Sequence, residues 1–170
     1  LGDLYAMHWP YKQHVTSRNQ KLLPYHNSLK EACACFGVGG GFERPMWYAL
    51  NGNTPEYQYS FGYQNWYESA KYETIHAREH VALFELSPFS KFELKGSKAH
   101  DALQYLCANN IKYTEGATTY TQMLNPKGGI EADLTITCIN KNNFRVISGA
   151  AVRTHVKKHI FSNLKFDVDF

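Results

Sequence analysis

The sequence predicts an α+β fold, with a mainly antiparallel sheet and flanking helices, preceded by an irregular segment rich in aromatic residues. Three observations predict it. Short runs of β-forming residues recur between Phe92 and Ser148, separated by dense turn residues. Two segments with helix-compatible apolar spacing, residues 98–107 and 151–161, interrupt and follow those runs. The strands come in succession and do not alternate regularly with helices, which favours antiparallel pairing over a parallel sheet.

Taken in order, residues 1–60 read as irregular, with Tyr5, Trp9, Tyr11, Trp47, Tyr48, Tyr57 and Tyr59 scattered through them and only 28–35 briefly helical. Residues 37–41 hold four glycines in five positions, the composition of a phosphate cradle, yet no Val/Ile-rich strand precedes them and no apolar helix follows. A flexible turn is expected there. Over 64–82 the positions Trp66, Ala70, Ile75 and Ala77 fit one amphipathic helix packing on a sheet. Phe92 and Leu94 alternate with Lys91, Glu93 and Lys95, a half-buried strand that stops at Gly96, after which Ser97 offers an N-cap for a helix over 98–107. Residues 118–124 and 130–139 are β-rich around Asn125-Pro-Lys-Gly-Gly129 and predict a hairpin. A turn at 140–143, a strand at 144–148, a helix over 151–161 and a strand from Leu164 complete the order β-α-β-β-β-α-β.

Composition narrows the function. A chain of 170 residues suits one domain with an N-terminal extension. Fifteen acidic residues nearly cancel eighteen basic ones, and the basic ones are interspersed with acids, unlike the Lys/Arg block that follows a nucleic-acid backbone. No run approaches the roughly 20 apolar residues of a membrane span, and the N-terminus lacks the order of a signal peptide, so a soluble protein is expected. The start at Leu1 in place of Met points to a missing upstream portion. Cys33, Cys35, Cys107 and Cys138 form no Cys-x-x-Cys pair and sit in apolar runs, as buried thiols of a reducing compartment do.

Two constellations invite a chemical reading. His76-Ala-Arg-Glu79-His80 matches a zinc-peptidase spacing, with two imidazoles one helical turn apart, but no third ligand is evident and no metal site is expected. His155 and His159 read equally well as the solvated face of a helix. Asp133 follows the Gly128-Gly129 turn within a strand, and alternation sets it with Glu131 and Thr135 on one face, opposite Leu134 and Ile136. On an outer face Asp133 is merely solvated. Lining a cleft, the carboxylate becomes suited to proton transfer or to stabilising a cation.

The run Tyr120-Thr-Gln-Met-Leu-Asn-Pro-Lys-Gly-Gly-Ile-Glu-Ala-Asp133-Leu-Thr-Ile resembles the folate-site segment of dimethylglycine and sarcosine dehydrogenases and, more distantly, of the glycine-cleavage aminomethyltransferase (T-protein). Three other stretches agree in the same order: Phe36 with Gly41-Phe-Glu-Arg-Pro45 and Trp47; Arg-Glu-His-Val-Ala-Leu-Phe-Glu-Leu-Ser-Pro-Phe, from Arg78 to Phe89; and Phe92-Glu-Leu-Lys-Gly96.

The resemblance implies the first part of a T-protein-like, tetrahydrofolate-binding domain over 31–170, with residues 1–30 the end of the middle region of a flavoprotein. It implies a pterin beside Asp133, a pocket lined by Tyr120 and bordered by the backbone near Thr135, and an apolar lining residue at Phe89. Thr137 stands where some aminomethyltransferases carry an aromatic ring, which removes a stacking surface. The implied activity is oxidation of an N-methyl amine and passage of the one-carbon unit to tetrahydrofolate, with FAD held upstream in the same chain. The alternatives are a stand-alone folate-binding aminomethyltransferase relative and a non-catalytic regulatory module. A bacterial source would place the protein in the cytoplasm and a eukaryotic one in the mitochondrial matrix.

Overall fold

A computed structural model describes residues 2–164 and 166–169. The chain divides into two compact units, Leu1–Ser87 and Pro88–Phe170. In the second unit, strands β3 (Ser90–Lys95), β4 (Thr118–Leu124), β5 (Ile130–Asn140) and β6 (Asn143–Ser148) form an antiparallel sheet in the order β3-β6-β5-β4. The expected antiparallel α+β architecture is therefore present.

One face of that sheet is the core. Leu94, Ala132, Leu134, Ile136, Cys138, Phe144 and Val146 point to it from the strands. Helix α4 (Ala99–Leu106) adds Ala99, Ala102, Leu103 and Leu106, at the i, i+3, i+4, i+7 spacing that makes one apolar stripe. Helix α5 (Arg153–Asn163) adds Val156 and Ile160. Burial on alternate positions of β5 fixes its register, because a slip of one residue would carry Leu134 and Ile136 to the other face.

The β4–β5 connection forms as the turn composition predicts. Asn125 Oδ1 accepts the N–H groups of Lys127 and Gly129 at 3.0 Å each, and Gly128 takes φ +79°. A Cβ on Gly129 would lie 2.8 Å from Asn125 Nδ2, so the second glycine is needed for the asparagine to fold over the turn.

Several expectations are corrected. Residues 1–60 are not irregular: they hold the short helices α1 (Gly2–Tyr5) and α2 (His26–Glu31) and a hairpin of β1 (Ala34–Gly39) with β2 (Phe42–Tyr48). The glycine cluster is the end of β1 and the hairpin turn, with Gly40 at φ +62° and Gly41 at φ +84°, the left-handed pair that a two-residue turn demands. Pro45 is accommodated because the pairing shifts there, from Cys35↔Trp47 to Phe36↔Pro45, leaving Met46 bulged in a two-stranded ribbon.

Helix α3 spans Tyr67–Glu79, shorter than the expected 64–82. It packs on β2, where Glu73 accepts the Tyr48 N–H at 2.8 Å, but Ser69 is its buried residue and Ile75 faces solvent. Ser97 is not the cap of α4: that position is Lys98, which makes no capping bond by its side chain. Among the described residues the strand expected from Leu164 is reduced to one bridge, Asp169 with Lys95; Lys165 and Phe170 lie outside the described residues.

Candidate functional site

The sheet face opposite the core collects the predicted site residues. Burial pins Ala132 and Leu134 inward, which turns Asp133 outward to solvent. On the neighbouring strand Tyr120 is 58% exposed and sits opposite Thr135, while Gln122 sits opposite Asp133. The Tyr120 hydroxyl donates to Asp133 Oδ2 at 3.3 Å. Such a phenol orients the carboxylate and presents an aromatic surface beside it.

Phe89, 41% exposed, lies one residue before β3. Ser90, Ser148 and Leu134 form one transverse row of the sheet. The structure thus brings Asp133, Tyr120 and Thr135 together on one open face and leaves Phe89 at the entry to β3, two strands from β5.

Nothing in the sequence patterns signalled the fixation beneath this site. Glu131, two residues from Asp133, accepts from Asn125 Nδ2 at 2.8 Å and contacts His155 Nε2 at 2.6 Å. Its carboxyl is held below the ordinary range, first by the Asn125 hydrogen bond and then by His155. His155 is thus more than the solvated residue expected of it: it ties α5 to the turn that starts β5. Asn125→Ala removes three hydrogen bonds of that turn and is expected to destabilise the second unit by about 1–3 kcal/mol. Asn125→Asp, which keeps the acceptor for Lys127 and Gly129, is expected to lose less; thermal denaturation of both variants ranks them.

The remaining candidates resolve simply. The His76 and His80 rings lie 4.6 Å apart between centroids, tilted by 31°, and among the described residues no three His, Cys, Asp or Glu side chains are grouped to hold a metal ion. The cysteines are free; Cys33 is exposed, contrary to expectation, and burial pushes Cys35 up to about 11 and Cys107 up to about 12. Those two thiols stay protonated and inert at neutral pH. In the first unit a cleft of about 450 Å³ is lined by Arg18, His26, Lys30, Cys35 and Tyr57 among others, but Arg18 is committed to Glu43. No helix among the described residues is long and apolar enough to cross a membrane.

Comparison with known proteins shows the family and the fold. The family model of the GCVT N-terminal domain matches residues 25–170. The 4-methylaminobutanoate oxidase (formaldehyde-forming) of Paenarthrobacter nicotinovorans is 44% identical over 148 residues, covering 87% of this chain and 18% of that protein. Human mitochondrial dimethylglycine dehydrogenase is 32% identical over 148 residues, covering 86% of this chain and 17% of its own. The chain therefore spans less than a fifth of the length of either of these two relatives. Among solved structures, the glycine cleavage system aminomethyltransferase T of Bartonella henselae superposes with a TM-score of 0.72 at 23% identity, over 88% of this chain and 37% of that one, and shares its fold.

Proposed function

Because the chain belongs to the GCVT N-terminal domain family, we propose that it is the tetrahydrofolate-binding part of an FAD-dependent N-methyl amine dehydrogenase. In this reading the one-carbon unit oxidised off the amine passes to tetrahydrofolate as 5,10-methylene-tetrahydrofolate. The observation that carries the reading is the outward pair of Asp133 and Tyr120, a carboxylate with a phenol 3.3 Å away on an open sheet face. The names of its relatives, an oxidase and a dehydrogenase of methylated amines, support the choice of substrate class. Residues 1–30 we assign to the end of the upstream flavoprotein region, and FAD to residues beyond this chain.

Tetrahydrofolate, when bound, supplies the nitrogens that take up a one-carbon unit at the oxidation level of formaldehyde. The work of this chain is to seat the pterin and manage charge. Asp133 receives the proton that a folate nitrogen loses on bonding carbon. Tyr120 keeps that carboxylate oriented through its hydroxyl and offers its ring for packing. Thr135, directly across from Tyr120, borders the same seat, and Phe89 supplies an apolar surface from the segment that enters β3.

Titration of the full-length protein with a tetrahydrofolate analogue tests the seat. Tyr120→Ala is expected to weaken binding about tenfold or more, as loss of a ring stacked on a ligand does, and Tyr120→Phe to weaken it less. Equal affinity of wild type and Tyr120→Ala would remove Tyr120 from the site. The isolated 170 residues are expected to bind weakly or not at all, because an open face buries too little of a ligand of this size.

A further inference from the structure

A second cleft of the first unit, of about 390 Å³, is lined by β2, by α3 and by the irregular segment 81–86 that follows the helix. Its walls include Arg44 and Tyr48 from β2, Tyr72 and Glu73 from α3, and Phe84 and Glu85 from the segment. Helical spacing organises the α3 wall. Tyr72 and His76 stand four residues apart, and their rings stack at 5.9 Å between centroids with planes 24° apart, which fixes the Tyr72 ring. Glu73, one residue on, reaches β2 and accepts the Tyr48 N–H at 2.8 Å.

Three charged groups line this cleft: two carboxylates, Glu73 and Glu85, and the Arg44 guanidinium. Each is half-buried, and among the described residues none of the three is in an ion pair. Burial pushes the Glu73 carboxyl up from its ordinary range, against the Tyr48 N–H, which holds it down. At Glu85 the imbalance is sharper. Its Oε1 accepts the Ser87 N–H at 3.0 Å, which sets the direction of the carboxylate, while Oε2 is shut off from solvent and meets no donor among the described residues. A shielded carboxylate oxygen is costly until a donor or a cation reaches it.

The rings define which cation suits the cleft. Tyr48, Tyr72 and Phe84 surround the carboxylates with aromatic surface, and an ammonium whose methyl groups face such rings is attracted by their quadrupoles as well as by the full charges. A strongly hydrated primary ammonium gives up more water for the same contacts. Arg44 adds a forked donor suited to a carboxylate. A plain cation would leave Arg44 without a partner, and a plain anion would leave the two glutamates without one. A ligand bearing both charges answers all three groups.

We propose that this cleft binds a small zwitterion, an N-methylated amino acid, with its ammonium at Glu73 and Glu85 against the aromatic rings and its carboxylate at Arg44. The site goes beyond the folate reading and is independent of it, because every residue it uses belongs to the first unit.

Equilibrium dialysis of the full-length protein tests the site with N,N,N-trimethylglycine, which carries both charges, and with 3,3-dimethylbutanoate, its isostere with carbon in place of the nitrogen. Wild type is expected to hold one more equivalent of trimethylglycine than Glu85→Gln, a variant that keeps an oxygen for the Ser87 N–H and loses the charge. The isostere is expected to show no such difference. Tyr72→Leu, at an exposed position where folding is not at stake, is expected to weaken this site about fivefold, the scale of one cation–ring contact. Arg44→Gln is expected to weaken trimethylglycine and to leave tetramethylammonium, which has no carboxylate, unchanged. Equal equivalents in wild type and Glu85→Gln, or an isostere that fills the extra site as well as trimethylglycine does, overturns the proposal. Either result leaves the folate seat standing, since that is read separately with a tetrahydrofolate analogue.

Discussion

Asp133→Asn in the full-length protein is expected to slow one-carbon transfer to tetrahydrofolate by about 10²–10⁴, the range for loss of a positioned proton acceptor. The substitution keeps the size and hydrogen-bonding outline of the side chain and removes its charge and basicity. Tyr120 can still donate to the amide oxygen, so the local geometry has no reason to change. Asp133 is solvent-exposed and sits on a strand pinned by the buried Ala132 and Leu134, so stability is expected to hold within about 0.5 kcal/mol. Amine oxidation, followed with an artificial electron acceptor, is expected to be unaffected, with the one-carbon unit released as free formaldehyde. Undiminished methylene-tetrahydrofolate formation by this variant would sink the catalytic assignment.

The second large effect is expected in the first unit, at an ion pair with no part in the chemistry. Glu43 on β2 is 2% exposed and accepts Arg18 Nε at 2.8 Å, Arg18 Nη2 at 2.7 Å and the Asn19 N–H at 2.7 Å. Arg18 also donates to the carbonyls of His14 and Phe36, which joins the N-terminal segment to both strands of the hairpin. Glu43→Ala strands a guanidinium and an N–H among groups that cannot replace the carboxylate, and is expected to cost about 3–5 kcal/mol. Faster proteolysis within residues 10–25 is the accompanying sign; native-like resistance there would refute the clasp.

This pair also sets a pH dependence. The Arg18 hydrogen bond holds the Glu43 carboxyl below its ordinary value, against the upward push of burial. A carboxylate depressed by folding contributes its full stability above its unfolded pKa, about 4.3, and loses it as pH falls through the lower folded value. Glu43→Gln is expected to flatten that acid limb and leave the neutral-to-alkaline profile in shape.

Much of the second unit was legible because its signals are local. The alternation of Ala132, Leu134, Ile136 and Cys138 against Asp133 and Thr135 names both the strand and the face that carries Asp133, and Asn125-Pro-Lys-Gly-Gly129 names the turn. The β1–β2 hairpin was illegible for the opposite reason. Glycines at 37 and 39 and Pro45 weaken the strand signal on both sides of a Gly-Gly turn, and the bulge at Met46 breaks the alternation. That Gly-Gly pair was itself the signal for a two-residue hairpin, masked by its resemblance to a phosphate loop. The Arg18–Glu43 and Glu131–His155 contacts join residues 25 and 24 positions apart, and no periodicity encodes such a pairing. They appear only once the topology has brought the elements together.

The outer strands of the four-stranded sheet are each clipped rather than covered. Among the described residues, β3 carries on its free side a bridge at Lys95 with Asp169, and β4 a bridge at Met123 with Cys107, continued where the Ala108 N–H donates to the Gln122 carbonyl and Asn109 Nδ2 to that of Tyr120. An open strand edge is a template for a second molecule, and here the uncovered stretch of β3 projects Lys91 and Glu93 from its outer face. Edge-to-edge docking of two copies along β3 in the antiparallel register that sets Glu93 against Glu93 is opposed by like charge, a protection that weakens as ionic strength shortens the reach of charge.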